Sequence, residues 1–288
     1  MSRLFILFQY LLPHHLLSRG VGLLAQNYRL RKLFIRAFIK RYKVDLNQAK
    51  IQEIEKFANF NAFFTRELQA NARPLADARG AIVCPADGAV SQLGDISDGN
   101  LLQAKGRHYS CESLLAGDAK MAGLFRGGKF ATIYLSPRDY HRVHMPMAGV
   151  LQRTVYVPGE LFSVNQTTAD SVPNLFARNE RLICLFDTEV GPMAVILVGA
   201  MIVAGIDTVW AGEVCPTKGK RAIQVSDYRN QAPAVELPLG GELGRFRLGS
   251  TAIVLFPHGT MEFESSLEAT SGVVMGQLLG QVASAEMK

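Results

Sequence analysis

Gly249-Ser250 is the residue pair in this chain with the least ordinary chemistry open to it. A serine that follows glycine can turn its Oγ on that glycine's carbonyl carbon through a five-membered ring, because a residue without Cβ leaves the carbon unhindered. The peptide bond becomes an ester, and loss of the Ser250 Cα proton expels the Gly249 carboxylate. What remains is dehydroalanine, which hydrolyses to ammonia and an N-terminal pyruvoyl group. Taken alone, the pair reads more plainly as a kink tolerated in a strand, since short motifs recur by chance. Two other stretches carry titratable groups. Cys84-Pro-Ala-Asp-Gly88 places Asp87 in a turn, where Asp-Gly is common without any function attached. Ser136-Pro-Arg-Asp-Tyr-His-Arg-Val-His-Met-Pro146 holds His141 and His144, two of the six histidines. Their spacing puts them on one face of a helix or on opposite faces of a strand. Zinc is the obvious ligand for such a pair, but no set of Cys, Asp or Glu partners accompanies it, so no metal is expected.

These residues need elements to hold them. From Arg245 to Leu248 charged and apolar residues alternate with period two, the pattern of a half-buried strand. After Thr251 the run 252–256 is wholly apolar, as in a strand covered on both faces. Gly249 between them marks a bulge or a close backbone approach. Further strand-like runs at 80–84, 130–135, 149–157, 181–186 and 193–203 are divided by Gly and Pro turns. The stretches 157–165 and 174–181 mix polar with apolar residues; they suit the lining of a lipid or amine pocket, and equally a loop and a strand end. There is no repeat and no low-complexity linker, and a sustained helix is expected in the body only within the last twenty residues. The fold class expected is α+β, a mainly-β catalytic body preceded by N-terminal amphipathic helices.

At 288 residues there is room for one large domain or a domain with an appendage. Apolar content of 48% and charged content of 19% belong to a folded protein. The net charge of +6 is concentrated: residues 1–44 hold nine Lys or Arg and no acid, leaving 22 basic against 25 acidic residues in the remainder. A nucleic-acid binder would carry its basic surface on the folded body, so no nucleic-acid partner is expected. Cys84, Cys111, Cys184 and Cys215 lie far apart and read as buried thiols of a reducing compartment. Leu4-Phe-Ile-Leu-Phe-Gln-Tyr-Leu-Leu12 follows Arg3 in the manner of a signal peptide, yet Pro13-His14-His15 stands where a small-x-small cleavage site would be. The charge-free stretch 4–18 is too short to span a bilayer. Over 27–43, Leu30, Leu33, Phe34, Ala37 and Phe38 share one helical face, with Arg29, Lys32, Arg36, Lys40 and Lys43 on the other. Such a helix can pack on a core or lie in the headgroup plane of an anionic membrane, where each basic residue contributes about 1 kcal/mol. The absence of acids and the apolar stretch before it favour the membrane. A further helix is expected over 46–57, capped by Asp45 or Asn47. The domains expected are a helical membrane-associating region, 1–70, and a β-rich catalytic domain, 71–288.

Six motifs follow one another over most of 57–256: Phe60-Asn-Ala-Phe-Phe-Thr-Arg66, Pro85-Ala-Asp-Gly88, Tyr140-His-Arg-Val-His-Met-Pro146, Val157-Pro-Gly-Glu-Leu-Phe-Ser-Val-Asn165, Asn174-Leu-Phe-Ala-Arg-Asn-Glu-Arg181 and Gly244-Arg-Phe-Arg-Leu-Gly-Ser-Thr251. In these motifs and their order the chain resembles the phosphatidylserine decarboxylases of the bacterial, membrane-associated (prokaryotic type I) kind, in which Leu-Gly-Ser-Thr is the self-cleavage motif. The first fifty residues agree in character more than in letter, the tail after Phe256 diverges, and Met201 stands where a small polar residue is expected.

The resemblance implies decarboxylation of phosphatidylserine to phosphatidylethanolamine and carbon dioxide, in phospholipid biosynthesis. It implies a proenzyme that cuts itself at Gly249-Ser250 into a β chain, 1–249, and an α chain, 250–288, whose Ser250 becomes a covalent pyruvoyl cofactor. Asp87, His144 and Ser250 would form a charge relay for that cut, with His144 as base and Asp87 as its orienting partner. The pyruvoyl ketone would form a Schiff base with the amine of the serine headgroup and take up the electrons released with carbon dioxide. His141 is the candidate proton donor for the product, with a purely structural histidine as the alternative. The resemblance further implies a homodimer of αβ units, attached peripherally to the cell membrane at its cytoplasmic face. Two other readings use the same residues. A lipid-directed serine hydrolase is disfavoured because Ser250 is not in a Gly-x-Ser-x-Gly elbow. A non-catalytic membrane-binding protein would leave Ser250 without a role.

Overall fold

Residues 6, 7, 9, 10, 14, 20, 21, 25, 27–201, 205–214, 222–247 and 250–283 are described by the structure, a computed structural model. The apolar runs of the sequence assemble a nine-stranded antiparallel sheet. Its order is Gln224–Asp227, Gly149–Val157, Arg181–Thr188, Gly191–Gly199, Ser250–Phe256, Lys129–Leu135, Gly88–Asp95 and Gly272–Val273, with Glu236–Leu237 also pairing to Gly149–Val157. Ser250–Phe256 is interior to the sheet, and all seven of its residues are buried. It needs apolar side chains on both faces because each face is covered by a separate core. One core takes Ala252, Val254 and Phe256 with Leu135, Leu197, Val143, Leu243 and Phe246. The other takes Ile253 and Leu255 with Phe130, Ile196, Val198, Phe162 and Phe176.

The first of these cores is closed by a four-stranded sheet in the order Gly212–Glu213, Ile206–Thr208, Glu242–Phe246 and Arg142–His144. The alternating run and the apolar run around Gly249 are therefore strands of two different sheets. The chain leaves the smaller sheet at Phe246 and enters the larger one at Ser250; Leu248 and Gly249 lie outside the described residues.

The N-terminal helix is Arg31–Tyr42, ended by Lys43 in the left-handed conformation with its N–H on Ile39 O at 2.7 Å. It packs Ile35, with the partly buried Phe34, Phe38 and Ile39, on Phe57, Phe60, Phe63 and Phe64. Arg31 fixes the contact, its Nε donating to Phe57 O at 2.9 Å. The helix is thus turned from the face that the sequence pattern marks: Leu30, Leu33 and Ala37 remain exposed while Ile35 and Ile39 point in. A second short helix, Phe60–Phe64, is capped by Asn59, whose side chain accepts from Ala62 N at 2.9 Å.

Two expected helices do not form. Over 46–57 only a 3-10 turn, Ile54–Lys56, is present. Asp45 accepts from Asn47 N at 2.8 Å in a local turn that competes with a helix, and Ala49 then bridges to Leu68. In the last twenty residues the described chain runs as Gly272–Val273 and Leu278–Val282 instead, the latter pairing with Ala81–Val83. Thr270 and Gly276 take positive φ there, which no helix accommodates. No helix among the described residues is long and apolar enough to cross a membrane.

Candidate active site

The register of the large sheet gathers five of the six motifs at one end. Ser250 stands opposite Leu135 on one side and Gly199 on the other. One strand beyond Leu135, Ala89 pairs with Tyr134, and the preceding Gly88 lies so close that a Cβ there would be 2.2 Å from Tyr134 O. Asp87 therefore enters the turn at this same end. The loop leaving Leu135 carries Tyr140, His141 and His144, and it is braced by Ser136 N donating to Asp139 Oδ2 at 2.7 Å. On the far side Asn179 Nδ2 donates to Gly199 O at 2.9 Å, and Glu180 O accepts from Gly199 N at 2.8 Å. The stretches 157–165 and 174–181 pack together here, and only glycine fits at Gly159, where a Cβ would be 2.3 Å from Arg178 O. Gln9 and His14 reach the same loops, with Ser163 N donating to Gln9 Oε1 at 2.8 Å and Leu161 N to His14 Nδ1 at 3.4 Å.

Each titratable residue has a definite surrounding. Asp87 is buried and accepts from Arg73 Nε at 2.8 Å, from Arg73 Nη2 and from Met275 N at 2.9 Å. Those bonds hold the Arg73 guanidinium above its ordinary pKa. His144 Nδ1 lies 2.8 Å from Gly240 O, and a carbonyl can only accept, so Nδ1 carries the proton. Nε2 is then the basic nitrogen, and Tyr140 OH donates to it at 3.0 Å. Burial pushes the His144 pKa down, against the opposing Gly240 bond and the charges of Glu242 and Asp87, so the ring is neutral near pH 7. Asp87 thus acts on His144 through space; the two are not hydrogen-bonded, and Gly240 O occupies the orienting position. Arg73, Tyr140, Arg142, His144 and Met275 line a cleft of ≈ 610 Å³.

His141 and Ser250 are more deeply enclosed. His141 has no exposed surface, donates from Nδ1 to Asp139 O at 2.9 Å and packs against Phe64, the rings tilted at 42° with centroids 4.0 Å apart. Burial, with the Arg66 charge adding to it, pushes its pKa down to about 3, so Nε2 offers a bare lone pair with no partner. Ser250 is likewise fully buried, and its Oγ has no hydrogen-bond partner. Asp87, His144 and Ser250 thus converge on one end of the sheet without bonding to one another. Arg73, Tyr140, Gly240 and Met275 escape sequence reasoning. Tyr140, beside His141 in its motif, is the one for which the sequence held a hint.

Cys84, Cys111 and Cys184 are free, buried thiols, with burial pushing Cys84 and Cys111 up to about 12; Cys215 lies outside the described residues. Among the described residues no cluster of three or more His, Cys, Asp or Glu is arranged to hold a metal ion.

The sequence profile described as phosphatidylserine decarboxylase matches residues 60–281, which includes Asp87, His141, His144 and Ser250. The chain belongs to the phosphatidylserine decarboxylase family. A second profile, described as PSD, matches residues 4–43, the basic segment. The phosphatidylserine decarboxylase proenzyme of Ectopseudomonas mendocina is 59% identical over 281 residues, covering 97% of this chain and 98% of that protein. The proenzyme of Pseudomonas putida is 59% identical over 282 residues, with 97% and 98% covered. That of Pseudomonas aeruginosa is 59% identical over 280 residues, with 96% of each covered. The likeness to these decarboxylases extends through the first fifty residues and through the tail after Phe256.

Proposed function

We propose that this chain is a proenzyme that cuts itself at Gly249-Ser250 and, as β chain 1–249 and α chain 250–288, decarboxylates phosphatidylserine to phosphatidylethanolamine. The observation that carries this reading is Ser250 Oγ, fully buried and unpartnered, beginning an interior strand at the sheet end that also holds Asp87 and His144. A nucleophilic hydroxyl free of partners has no bond to give up when it attacks. Excluding water protects the ester that forms from premature hydrolysis.

His144 supplies the base. Its Nδ1 is pinned by Gly240 O, which aims Nε2, and burial keeps the ring unprotonated near pH 7. Tyr140 must release Nε2 for the Ser250 proton to arrive there. Asp87 stabilises the protonated ring by its charge, the role of the acid in a Ser-His-Asp relay, although its own bonds go to Arg73 and Met275. Ser250 also fits conversion to a pyruvoyl group, since its side chain is free of partners and the cut would make it the first residue of the α chain. That group, when formed, supplies a ketone carbonyl that takes up the electron pair set free with carbon dioxide. His141, at the same sheet end, passes a proton to the product only after its bare Nε2 has taken one up from solvent.

The reading extends to the membrane. Residues 1–70 form the membrane-facing unit and 71–288 the catalytic one; Ile35, Phe57, Phe60, Phe63 and Phe64 share a core of their own, while Ile6, Gln9 and His14 pack on the body. Exposed Tyr28, Leu30, Leu33 and Tyr42 stand among Arg29, Lys32, Arg36 and Lys40, an apolar and basic surface suited to an anionic, cytoplasmic leaflet. The αβ units pair as homodimers; the exposed strand Gln224–Asp227 at the sheet edge, with half-exposed Ile223 and Val225, is a surface that such pairing would cover. A serine hydrolase is disfavoured, because Ser250 is enclosed in a sheet interior and not raised on a turn.

The test is the intact mass of the wild type and of Ser250→Ala. Two wild-type masses dividing after Gly249, a small chain blocked at its N-terminus, and an uncut variant support the reading. One full-length mass for a wild type active on the lipid refutes it.

A further inference from the structure

Arg66 is only 5% exposed, yet one of its three side-chain nitrogens does all the bonding. Nη2 donates to Arg138 O at 3.1 Å and Asp139 O at 3.3 Å, while Nε and Nη1 are buried without a partner. Nε carries one hydrogen and Nη1 two, so three N–H donors stand idle. The other buried arginines are spoken for. Arg142 pairs with Glu242 and Glu67, Arg31 spends its donors on three carbonyls, and Arg181 spends all three of its nitrogens on carbonyls. No carboxylate among the described residues forms an ion pair with Arg66. Burial lowers its pKa, but a guanidinium stays charged at any physiological pH. A buried cation with idle donors is costly, and a fold retains one where an anion is to arrive.

Its place says which anion. Arg66 ends the Asn-Ala-Phe-Phe-Thr-Arg motif and braces the 138–139 backbone beside His141, whose titration feels its charge. It also lies within electrostatic reach of Asp87, Asp139 and Tyr140, so it belongs to the sheet end where Ser250 is buried. We propose that Arg66 is the receptor for the phosphodiester of the lipid headgroup, an inference that rests on the decarboxylase reading above. The headgroup brings two anions to the site, a carboxylate and a phosphodiester. A guanidinium on the carboxylate would stabilise the charge whose electrons must leave with carbon dioxide, and so would oppose the reaction. The phosphodiester keeps its charge from substrate to product, so binding it lowers KM without resisting the chemistry.

The experiment uses purified, self-cleaved enzyme, wild type, Arg66→Gln and Arg66→Lys, with short-chain phosphatidylserine as substrate. Glycerophosphoethanolamine and 2-methoxyethylamine, which differ by the phosphodiester, serve as competing inhibitors. The expected result is normal cleavage of Arg66→Gln on a gel and a rise in KM of about 30-fold, larger than any fall in kcat and partly recovered by Arg66→Lys, on the scale of losing one desolvated charge pair. The wild type should also prefer the phosphodiester inhibitor by roughly tenfold or more, and Arg66→Gln should lose that preference. An unmoved KM, a preference that survives in Arg66→Gln, an equal weakening of both inhibitors, or failure of both variants to self-cleave overturns the proposal. A wild type that is uncut or inactive on phosphatidylserine instead defeats the decarboxylase reading itself, so the two failures are separable.

Discussion

His141 makes the folded chain sensitive to mild acid in a way that can be isolated. Its ordinary pKa of 6.5 falls to about 3 in the fold, chiefly through burial, so the unfolded chain binds the proton far more readily. Stability from this residue is fully present above pH 6.5 and is lost as pH falls toward 3, because the unfolded state gains protons over that window. Between pH 7 and pH 5 the loss is about 2 kcal/mol, and over the whole window it is about 5 kcal/mol. His141→Asn removes the titration while its amide nitrogen, at the place of Nδ1, can still donate to Asp139 O. The comparison is best made in Ser250→Ala, which keeps one uncut chain. Urea unfolding followed by Trp210 fluorescence at pH 7, 6 and 5 should show the parent losing about 2 kcal/mol more than the double variant. The other carboxylates and histidines are common to both chains and cancel in the difference. Parallel pH profiles would refute the assignment of a buried, neutral ring at this position.

Three further outcomes follow from the geometry. Self-cleavage should gain rate with rising pH through a His144 pKa below the ordinary histidine value, and Tyr140→Phe should move that midpoint upward by as much as about one unit, since the hydroxyl stabilises only the neutral ring; a midpoint unchanged in a gel-based time course would show that the bond is idle. Arg73→Ala, measured in Ser250→Ala, should lower unfolding free energy by about 3 kcal/mol by stranding the Asp87 carboxylate, with part of the loss recovered by adding Asp87→Asn. Gly159→Ala should lower stability by about 2 kcal/mol or more in a thermal melt, because its Cβ would be 2.3 Å from Arg178 O and 2.6 Å from Glu180 N.

Which parts of this structure were legible in the sequence depends on how far apart in the chain the deciding contacts lie. The runs at 130–135 and 181–186 declare themselves because strands covered on both faces need nearly continuous apolar stretches, and 149–157 does so through its apolar second half, which is buried throughout. The missing helix at 46–57 turns on Ala49 meeting Leu68, a pairing that local propensity does not contain. The site divides in the same way. Asp87, His141, His144 and Ser250 are legible as members of short motifs. What they bond to is not: Asp87 finds Arg73 at a separation of 14 residues and Met275 at 188, and His144 finds Gly240 at 96. The motif therefore names the reacting groups, while the direction in which each one points is a property of the fold.

The topology also bears on the proposed cut, since a chain broken at Gly249-Ser250 would remain one body. A break at Gly249-Ser250 leaves 250–288 joined to the rest by Ser250–Phe256, held between Gly191–Gly199 and Lys129–Leu135 through Cα partners on both sides. Ile253, Val254, Leu255 and Phe256 are all fully buried, about 8 kcal/mol of apolar burial in four residues before any hydrogen bond is considered. Leu278–Val282 pairs with Ala81–Val83, and Gly272–Val273 pairs with Gly88–Asp95, so the short segment is bound at three places in two sheets. Met275, in that same segment, donates its backbone N–H to Asp87 across the proposed cut. Ser250 and Met275 thus lie on one side of the break, and Asp87, Tyr140 and His144 on the other. The site is complete only where the two segments are already woven together, so the proposed cut would have to follow folding, and the strand pairing that seats Ser250 beside Leu135 and Gly199 would also hold the pieces together afterwards.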